Sequence, residues 1–417
     1  MAAFVISLGE TQIGRLELLQ DGRSTRLVLF EDYRRAECRP LLGQQFKSFH
    51  REYRQPSRLL NFFAHLLPEG ALGNILRASA KLDQRQTWPL LELLGRDLPG
   101  AVRLLPPLDD GDDDDAARVT STAEHLDARR IDPPTRATVP PEMWRFSLSG
   151  VQLKVSMSWF DDRLAMPAET IDGKWIVKLG DATHPDLPEV EWSVMEWARA
   201  AGIDVPQTRL VPLDHVDGIP GEYTEHAGQV CYAIERFDRA ENRRRIHIED
   251  FAQVLDADDK YQGHSYETIG NVILKAAGAE ALREYVRRLV FMVLCGNADA
   301  HMKNWSLIYS DGVHAGISPA YDIVSVIVYP QYSRTLALNF NRSKRFEDVS
   351  LTGFARLARK IEVPEKDVLD WVREDVSRTL EAWHDTAANT RLSRVRRERL
   401  EQHLKLLQGA PGSIIHL

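Results

Sequence analysis

The segment that most constrains this fold runs over residues 282–322. Apolar residues recur at helical spacing before Gly296, so the sequence predicts a buried helix that ends there. A polar loop follows over residues 296–304, Gly-Asn-Ala-Asp-Ala-His-Met-Lys-Asn. Residues 305–317 then alternate apolar and polar side chains around an Asp-Gly pair, which is typical of a β-hairpin with a tight turn. We therefore expect a helix, a polar loop and a hairpin in this order, with Asp322 after the hairpin.

Three polar residues in this segment have the spacing that phosphoryl transfer needs. That reaction requires a carboxylate that orients and deprotonates the attacking hydroxyl, together with oxygen ligands for the Mg²⁺ that neutralises the phosphates. Asp299 precedes Asn304 by five positions, as the catalytic Asp precedes a metal-binding Asn in protein kinases. Asp322 would supply a second carboxylate to the metal. Asp and Asn are also frequent in turns, so the loop gains weight only from the helix and hairpin around it.

A strand and a helix upstream offer a cation for the phosphates. Residues 175–179 form a short β-prone run with one lysine, Lys178, although a single lysine on an apolar strand usually faces solvent. The helical stretch that follows carries Glu191, which we expect to pair with Lys178. Glu189 and Glu196 compete for that role.

Two further segments fit a nucleotide-binding unit. Residues 147–154, Ser-Leu-Ser-Gly-Val-Gln-Leu-Lys, precede alternating apolar residues and would form a phosphate-binding turn between strands. They match neither G-x-x-x-x-G-K-[ST] nor G-x-G-x-x-G, so an ordinary hairpin turn is the alternative. Residues 229–239 predict a strand that runs into a polar connector, Glu-Arg-Phe-Asp-Arg, where a kinase has its hinge.

Together these segments resemble the HipA family of toxin serine/threonine kinases over nearly the whole chain. Residues 296–304 match the family signature Gly-Asn-x-Asp-x-His-x-Lys-Asn in full, and residues 235–239 are similar to its adenine-binding connector. Residues 147–154 resemble its phosphate loop, and residues 321–322 resemble its second metal-ligand segment. Residues 61–70, Asn-Phe-Phe-Ala-His-Leu-Leu-Pro-Glu-Gly, are similar to the signature of the small domain that precedes the family's kinase core.

The resemblance implies an α+β fold class, in which a small N-terminal α+β domain precedes a two-lobed, protein-kinase-like core with a strand-rich N-lobe and a mostly helical C-lobe. It implies ATP and Mg²⁺ as cofactors, Asp299 as the catalytic residue, and Asn304 and Asp322 as metal ligands. His301 would steady the loop, and Lys303 would hold the γ-phosphate. The residues expected to bind the nucleotide are Ser149, Gly150, Val151, Gln152, Lys154, Lys178, Glu235, Arg236, Phe237, Asp238, His301, Lys303, Asn304, Tyr321 and Asp322.

The resemblance also implies a function and partners. The protein would be the serine/threonine kinase toxin of a type II toxin–antitoxin pair, which arrests growth by phosphorylating an aminoacyl-tRNA synthetase, the glutamyl enzyme being the expected target. It would phosphorylate its own phosphate loop at Ser147, with Ser149 as second choice, and the added charge of about −1.5 to −2 would repel ATP. No helix-turn-helix segment is evident, so the expected partner is a separate HipB-like antitoxin, through which operator DNA would mainly be bound.

Alternatives remain for the function and for a basic C-terminal segment. The same Asp, Asn and Asp arrangement serves small-molecule and lipid phosphotransferases, and a pseudokinase would act only as a corepressor through a DNA-binding antitoxin. Five arginines within residues 391–399 give one helix a basic stripe, which we expect to be a solvated face, with DNA contact as the alternative. His247 and His264 have no ligand-like partners and are expected at the surface or in satisfied loops.

Charge and cysteine content narrow the class of protein. The 53 basic and 61 acidic residues give a net charge of −8, which disfavours strong binding of nucleic acid by the chain alone. Three scattered cysteines form neither a disulfide framework nor a C-x-x-C metal site, so a reducing cytoplasm is the expected location. The longest apolar run, near residues 289–295, is far below the roughly 20 residues that cross a bilayer, so no membrane partner is expected.

Shifts in composition divide the chain into four parts. Residues 1–105 are predicted to form the small N-terminal α+β domain, and residues 106–141 an acidic and proline-rich linker. Residues 142–238 would form the N-lobe with its phosphate loop, and residues 239–417 the helical C-lobe with the catalytic loop. The four consecutive aspartates of the linker lack the spaced ligands of a calcium loop and are expected to be a solvated charge run.

Overall fold

A computed structural model describes most of the chain. The described residues are 2–83, 87–95, 98–106, 154–166, 173–219, 221–225, 227–240, 244–386 and 390–415. The expected linker beyond residue 106 and the expected phosphate-loop residues up to residue 153 lie outside this part of the chain.

The N-terminal unit is an antiparallel sheet covered by short helices. Its elements are β1 (Ala3–Leu8), β2 (Thr11–Leu18), β3 (Thr25–Leu29), α1 (Glu31–Arg35), β4 (Glu52–Gln55), α2 (Asn61–Ala64), α3 (Gly70–Ser79), α4 (Thr87–Leu94) and β5 (Val102–Leu105). The strand order is β4-β3-β2-β1-β5. Alternating apolar residues such as Ile6, Leu16 and Leu27 are fully buried, and they share one core with Trp88 and Leu91 of α4.

A second, six-stranded sheet follows and places two lysines side by side. Its elements are β6 (Lys154–Phe160), β7 (Arg163–Ala165), β8 (Trp175–Lys178), α5 (Leu187–Ala200), β9 (Thr208–Pro212), β10 (Val216–Asp217), α6 (Gly221–Thr224) and β11 (Val230–Glu235). The strand order is β10-β7-β6-β8-β11-β9. Strand β8 is antiparallel to both neighbours, and Lys178 lies directly opposite Lys154 in the register with β6. Cross-strand partners point to the same face, so both ammonium groups lie on one side of the sheet.

The C-terminal lobe is mostly helical. Its elements are β12 (His247–Asp250), α7 (Phe251–Val254), α8 (Tyr266–Leu294), β13 (Ser306–Tyr309), β14 (Gly316–Ile317), β15 (Thr335–Phe340), β16 (Ser343–Arg345), α9 (Leu351–Lys360), α10 (Glu365–Thr386) and α11 (Arg394–Gln408). Helix α8 is interrupted at Gly278, whose φ is 86°. The part after this break is almost entirely buried in the core of the lobe, where α10 packs against it.

The predicted helix and hairpin are present, but the predicted location of His247 at the surface or in a loop is wrong. Helix α8 ends before the polar loop, and β13 pairs antiparallel with β14 after it. Strand β12 adds a third strand to this hairpin. His247 lies on β12, is 3% exposed and bonds through Nε2 to the carbonyl of Leu42 at 2.9 Å, so it is a core residue rather than a surface or loop residue. His264 is half-buried in a loop, as expected.

The described architecture is α+β, with a small N-terminal unit, a strand-rich lobe and a mostly helical lobe in that order. Among the described residues, none of the helices combines the length and the apolar character that crossing a bilayer requires.

Candidate active site

Two asparagine side chains of the polar loop after α8 form hydrogen bonds to its own backbone. Gly296 turns the chain out of the helix with φ 67°. The side-chain oxygen of Asn297 accepts a hydrogen bond from the Asp299 backbone N–H at 3.0 Å, and Asn304 Nδ2 donates to the Asp299 carbonyl at 2.8 Å. Side-chain to backbone bonds of this kind fix a loop where no ladder is available. The backbone of Asp299 is therefore held from both sides.

The carboxylate of Asp299 has one neutral hydrogen-bond donor on a neighbouring loop. The hydroxyl of Tyr261 donates to Asp299 Oδ1 at 2.7 Å. Burial raises the pKa of Asp299 above its ordinary value, although the Tyr261 bond and the charge of Lys260 act in the opposite direction. A raised pKa and a position on a cavity are features of a carboxylate that exchanges protons.

Asp322 lies at the end of the segment that follows the hairpin, between two cations. It has φ 55°, in the left-handed region that Asp tolerates better than most residues. Lys154 Nζ lies 2.8 Å from Oδ2, and Lys178 forms an ion pair with Oδ1. Burial opposes its charge, but Lys154 and Lys178 hold the pKa of Asp322 well below the usual range. The carboxylate is therefore ionised at neutral pH.

Lys178 has a second carboxylate partner on α5. It forms an ion pair with Glu191, and both side chains are only 3% exposed. Neither of the two competing glutamates pairs with Lys178. Glu196 pairs with Arg199, and Glu189 makes no ion pair among the described residues. The predicted choice of Glu191 over its two neighbours agrees with this geometry. Lys178 thus lies on a strand but faces a buried cluster of charges instead of solvent.

The connector after β11 turns its charges inward. Arg236 and Asp238 form a two-bond ion pair at 2.8 Å, and both residues are almost fully buried. Asp238 Oδ2 also accepts a bond from the Gly100 backbone N–H at 2.8 Å, which ties the connector to the N-terminal unit. The Phe237 ring packs against Tyr321, with ring centroids 5.6 Å apart. The two charged residues therefore have a structural role here.

His301 and Lys303 occupy different surroundings within the polar loop. His301 is 7% exposed, and its Nδ1 has no hydrogen-bond partner among the described residues. Burial lowers its pKa to about 3, so the ring is neutral. Lys303 points away to the N-terminal unit, where Nζ donates to the His65 carbonyl at 2.6 Å and lies 3.2 Å from Glu69. No local sequence pattern predicts these two partners, although both lie in the motif at residues 61–70.

These residues line one cavity of about 570 Å³ between the lobes and the N-terminal unit. The volume is within the range of pockets that enclose small ligands, roughly 300–1,000 Å³. The expected site residues on its wall are Lys154, Lys178, Glu235, Arg236, Phe237, Asp238, Asp299, His301, Lys303, Asn304, Tyr321 and Asp322. Ser147, Ser149, Gly150, Val151 and Gln152 lie outside the described residues.

The donor set of the cavity fits Mg²⁺ with a phosphate ligand. No group of three or more His, Cys, Asp or Glu side chains among the described residues is arranged to hold a metal ion. Mg²⁺ seldom uses such an all-protein site, since it is usually held by one or two oxygen ligands together with substrate phosphates and water. Asn304 and Asp322 offer an amide and a carboxylate oxygen on the same cavity wall.

Known protein families match both the N-terminal domain and the kinase-like core of the chain. The model of the HipA N-terminal domain matches residues 4–105, and the model of the HipA-like C-terminal domain matches residues 146–383. The kinase-like protein Y4dM of Sinorhizobium fredii is 40% identical over 388 residues, which cover 90% of each chain. The serine/threonine-protein kinase toxin HipA of Shewanella oneidensis is 28% identical over 311 residues, which cover 66% of this chain and 65% of that protein.

A solved structure has the same fold. A chain in the complex of Shewanella oneidensis HipA, HipB and operator DNA aligns with a TM-score of 0.73 at 20% identity, over 99% of this chain and 98% of that chain. This match confirms the predicted α+β class with a two-lobed, kinase-like core behind a small N-terminal domain. Because a C-terminal domain model covers more than half of the chain and Y4dM is similar over nearly all of it, the protein belongs to the HipA family.

Proposed function

We propose that this protein is an ATP- and Mg²⁺-dependent serine/threonine protein kinase. The observation that supports this best is the shared cavity on which Asp299, Asn304 and Asp322 lie with the ion pair of Lys178 and Glu191. Phosphoryl transfer depends almost entirely on positioning and on stabilisation of charge, and these are the groups that it uses. Membership in a family that includes a serine/threonine kinase toxin adds to the case.

Each proposed role follows from the surroundings of the side chain. Asp299 would accept the proton of the substrate hydroxyl, and Asn297 and Asn304 hold its backbone for that step. Lys178 would bind phosphate oxygens, oriented by Glu191. Mg²⁺, held by Asn304 and Asp322, would neutralise charge on the phosphates.

The nucleotide base would lie near the connector. Glu235 and Phe237 are on the cavity wall together with the apolar side chains of Ile176 and Ile234. Arg236, Asp238 and Tyr321 would act by holding this wall in shape, since their polar atoms bond within the protein. The phosphates would be bound by Ser149, Gly150, Val151, Gln152 and Lys154.

The proposed biological role rests on membership in the family. We propose that the kinase is the toxin of a type II toxin–antitoxin pair, that a HipB-like helix-turn-helix protein is its antitoxin, and that it phosphorylates an aminoacyl-tRNA synthetase of the glutamyl type. Ser147 would be its own phosphorylation site. Operator DNA would be bound mainly through the antitoxin, because Arg396 and Arg399 of the basic stripe donate to the Val328 carbonyl and Arg396 also pairs with Asp186.

Incubation of the purified protein with γ-labelled ATP, Mg²⁺ and a cell extract tests this function. We expect label on one extract protein, an aminoacyl-tRNA synthetase, and on the segment that contains Ser147. The Asp299→Asn variant should lose transfer by about 100-fold or more and retain ATP binding. Label on a metabolite or lipid would favour a small-molecule phosphotransferase, and growth inhibition by Asp299→Asn equal to that of the wild type would favour a corepressor without kinase activity.

A further inference from the structure

The N-terminal motif at residues 61–70 has no role in the proposed function so far. Its three polar residues Asn61, His65 and Glu69 recur at every fourth position. Each of them contacts the helical lobe, at residues more than 180 positions away in the chain. The motif is therefore placed to act on the active site and not only within its own domain.

Two of these residues bind the loop at residues 256–258. Asn61 Nδ2 donates to the Asp256 carbonyl at 3.1 Å and to Asp258 Oδ1 at 2.9 Å, and His65 Nε2 lies 2.7 Å from the Ala257 carbonyl. Asp256 has φ 50°, in the left-handed region that Asp tolerates better than most residues. The contacts from the motif therefore bind the backbone of this loop at a turn.

Glu69 binds two lysines at once. Its Oε2 lies 2.8 Å from Lys260 Nζ, and its Oε1 lies 3.2 Å from Lys303 Nζ. Lys303 also donates to the His65 carbonyl at 2.6 Å and is 3% exposed, so it has little freedom to move. Burial opposes ionisation of Glu69, but Lys303 and Lys260 lower its pKa to about 2, so the carboxylate is charged at neutral pH.

The same loop carries the contact to the proposed base. Tyr261 follows Lys260 directly and donates to Asp299 Oδ1 at 2.7 Å. The backbone N–H of Met302 donates to the Lys260 carbonyl at 3.1 Å, and the Tyr261 ring packs edge-on against His301 at 5.0 Å. Glu69 thus reaches the catalytic loop by two routes, through Lys303 within that loop and through Lys260 to Tyr261.

We propose that Glu69 of the N-terminal domain is a positioning residue for phosphoryl transfer, which orients the Asp299 carboxylate through Lys303 and through the Lys260–Tyr261 segment. This inference rests on the proposed function, since it takes Asp299 as the base. A base must lie within about 2.6–3.2 Å of the hydroxyl oxygen whose proton it takes, and a misplacement of 1 Å can cost about 100-fold in rate.

The two lysines of the strand-rich lobe that would bind the phosphates do not share these contacts. Lys154 and Lys178 are held by Asp322 and Glu191 on the sheet and on α5. Loss of Glu69 should therefore slow transfer while nucleotide affinity stays the same. A general loss of folding would reduce both, so the two measurements separate positioning from stability.

The test compares full-length Glu69→Gln with the wild type and with Glu17→Gln. Glu17 is a matched control, because it is a mostly buried carboxylate of the same domain and accepts a bond from Arg26 at 2.7 Å, away from the cavity. The transfer rate is measured with saturating γ-labelled ATP and extract proteins, and nucleotide affinity by calorimetry with a non-hydrolysable ATP analogue. We expect Glu69→Gln to lower the rate about 10-fold or more, with affinity within about twofold, and Glu17→Gln to change neither.

Amide hydrogen exchange gives a second readout that needs no activity. Glu69→Gln should speed exchange in residues 256–262 and 297–304, and Glu17→Gln should not. If Glu69→Gln fails to fold, Lys260→Gln removes one of its two ion pairs from the other side and should change the rate and the exchange in the same direction. A wild-type rate with unchanged exchange, or a parallel loss of nucleotide affinity, would overturn the inference alone. Failure of the wild type to transfer phosphate would overturn the proposed function and the inference with it.

Discussion

The ammonium group of Lys154 lies 2.8 Å from Oδ2 of Asp322, while Lys178 binds the other oxygen of the same carboxylate. Glu191 completes the cluster as the second partner of Lys178. The buried Lys154, Lys178 and Glu191 and the half-buried Asp322 therefore balance one another's charges on the wall of the cavity. Such a cluster is stable only when it is complete, because an unpaired charge in a buried site loses its hydration without compensation.

Replacement of Asp322 by Asn should therefore affect stability as well as chemistry. The change leaves Lys154 and Lys178 with Glu191 as the one remaining carboxylate of the cluster. We expect a loss of about 3 kcal/mol in the free energy of unfolding, from the cost of breaking a buried ion pair, together with loss of phosphoryl transfer. Urea denaturation and the labelled-ATP assay measure the two effects. The exposed Asp162→Asn is the control, and equal stability of the two variants would contradict the prediction.

Glu191→Gln should weaken nucleotide binding more than Glu196→Gln does. Both residues are on α5, but Glu191 pairs with Lys178 and Glu196 pairs with Arg199. Loss of one charge-assisted bond that orients Lys178 should cost about 1.4 kcal/mol, which is a tenfold rise in the dissociation constant. Calorimetric titration with Mg²⁺ and ATP measures this change. Equal affinity in the two variants would exclude an orienting role for Glu191.

Gly296→Ala should disturb the catalytic loop, with Gly22→Ala as a matched control. Both glycines have φ 67°. A Cβ on Gly296 would lie 2.1 Å from Ile327 Cγ1, whereas a Cβ on Gly22 meets nothing within 4 Å. Gly22→Ala should cost about 1 kcal/mol for the left-handed backbone, and Gly296→Ala about 3 kcal/mol, because the overlap adds to the same strain. Thermal or urea unfolding gives the comparison, and similar losses in both would show that Ile327 moves aside easily.

The buried carboxyl of Glu249 should make stability depend on pH. It accepts bonds from the Gln44 backbone N–H and from Tyr309, and burial raises its pKa to about 7 from 4.5. The native state therefore binds this proton more tightly than the unfolded state does. Its contribution is fully present below about pH 4.5 and is lost as the pH rises to about 7, with a total of roughly 3 kcal/mol.

Comparison of the wild type with Glu249→Gln separates the contribution of Glu249 to the free energy of unfolding from those of other titrating groups. His247 titrates in an overlapping range with the opposite sign, because burial lowers its pKa to about 4 and its neutral form is favoured in the native state. Urea unfolding from pH 4.5 to pH 8 should show the wild type losing stability relative to Glu249→Gln as the pH rises. A difference between the two proteins that does not vary with pH would rule this out.

Short-range patterns in the sequence determined much of the catalytic region. Apolar periodicity predicted the end of α8, and alternation around an Asp-Gly pair predicted the hairpin of β13 and β14. The sequence predicted the polar loop that carries Asp299 and Asn304, and the structure adds the bond from the Asn304 side chain to the Asp299 carbonyl that closes it. The roles of these residues in catalysis stay predictions.

Longer-range contacts were decided by the tertiary structure. Strand pairing placed Lys154 beside Lys178, and domain packing turned Lys303 toward Glu69 and buried His247. The partners of Lys303 are 238 and 234 positions away, where no local pattern relates them. A periodic sequence fixes which face of an element is apolar, but the neighbour of a charged side chain depends on how separate elements pack. The sequence therefore determined the elements, their motifs and the pairing of Lys178 with Glu191, and packing decided which charges from distant parts of the chain meet.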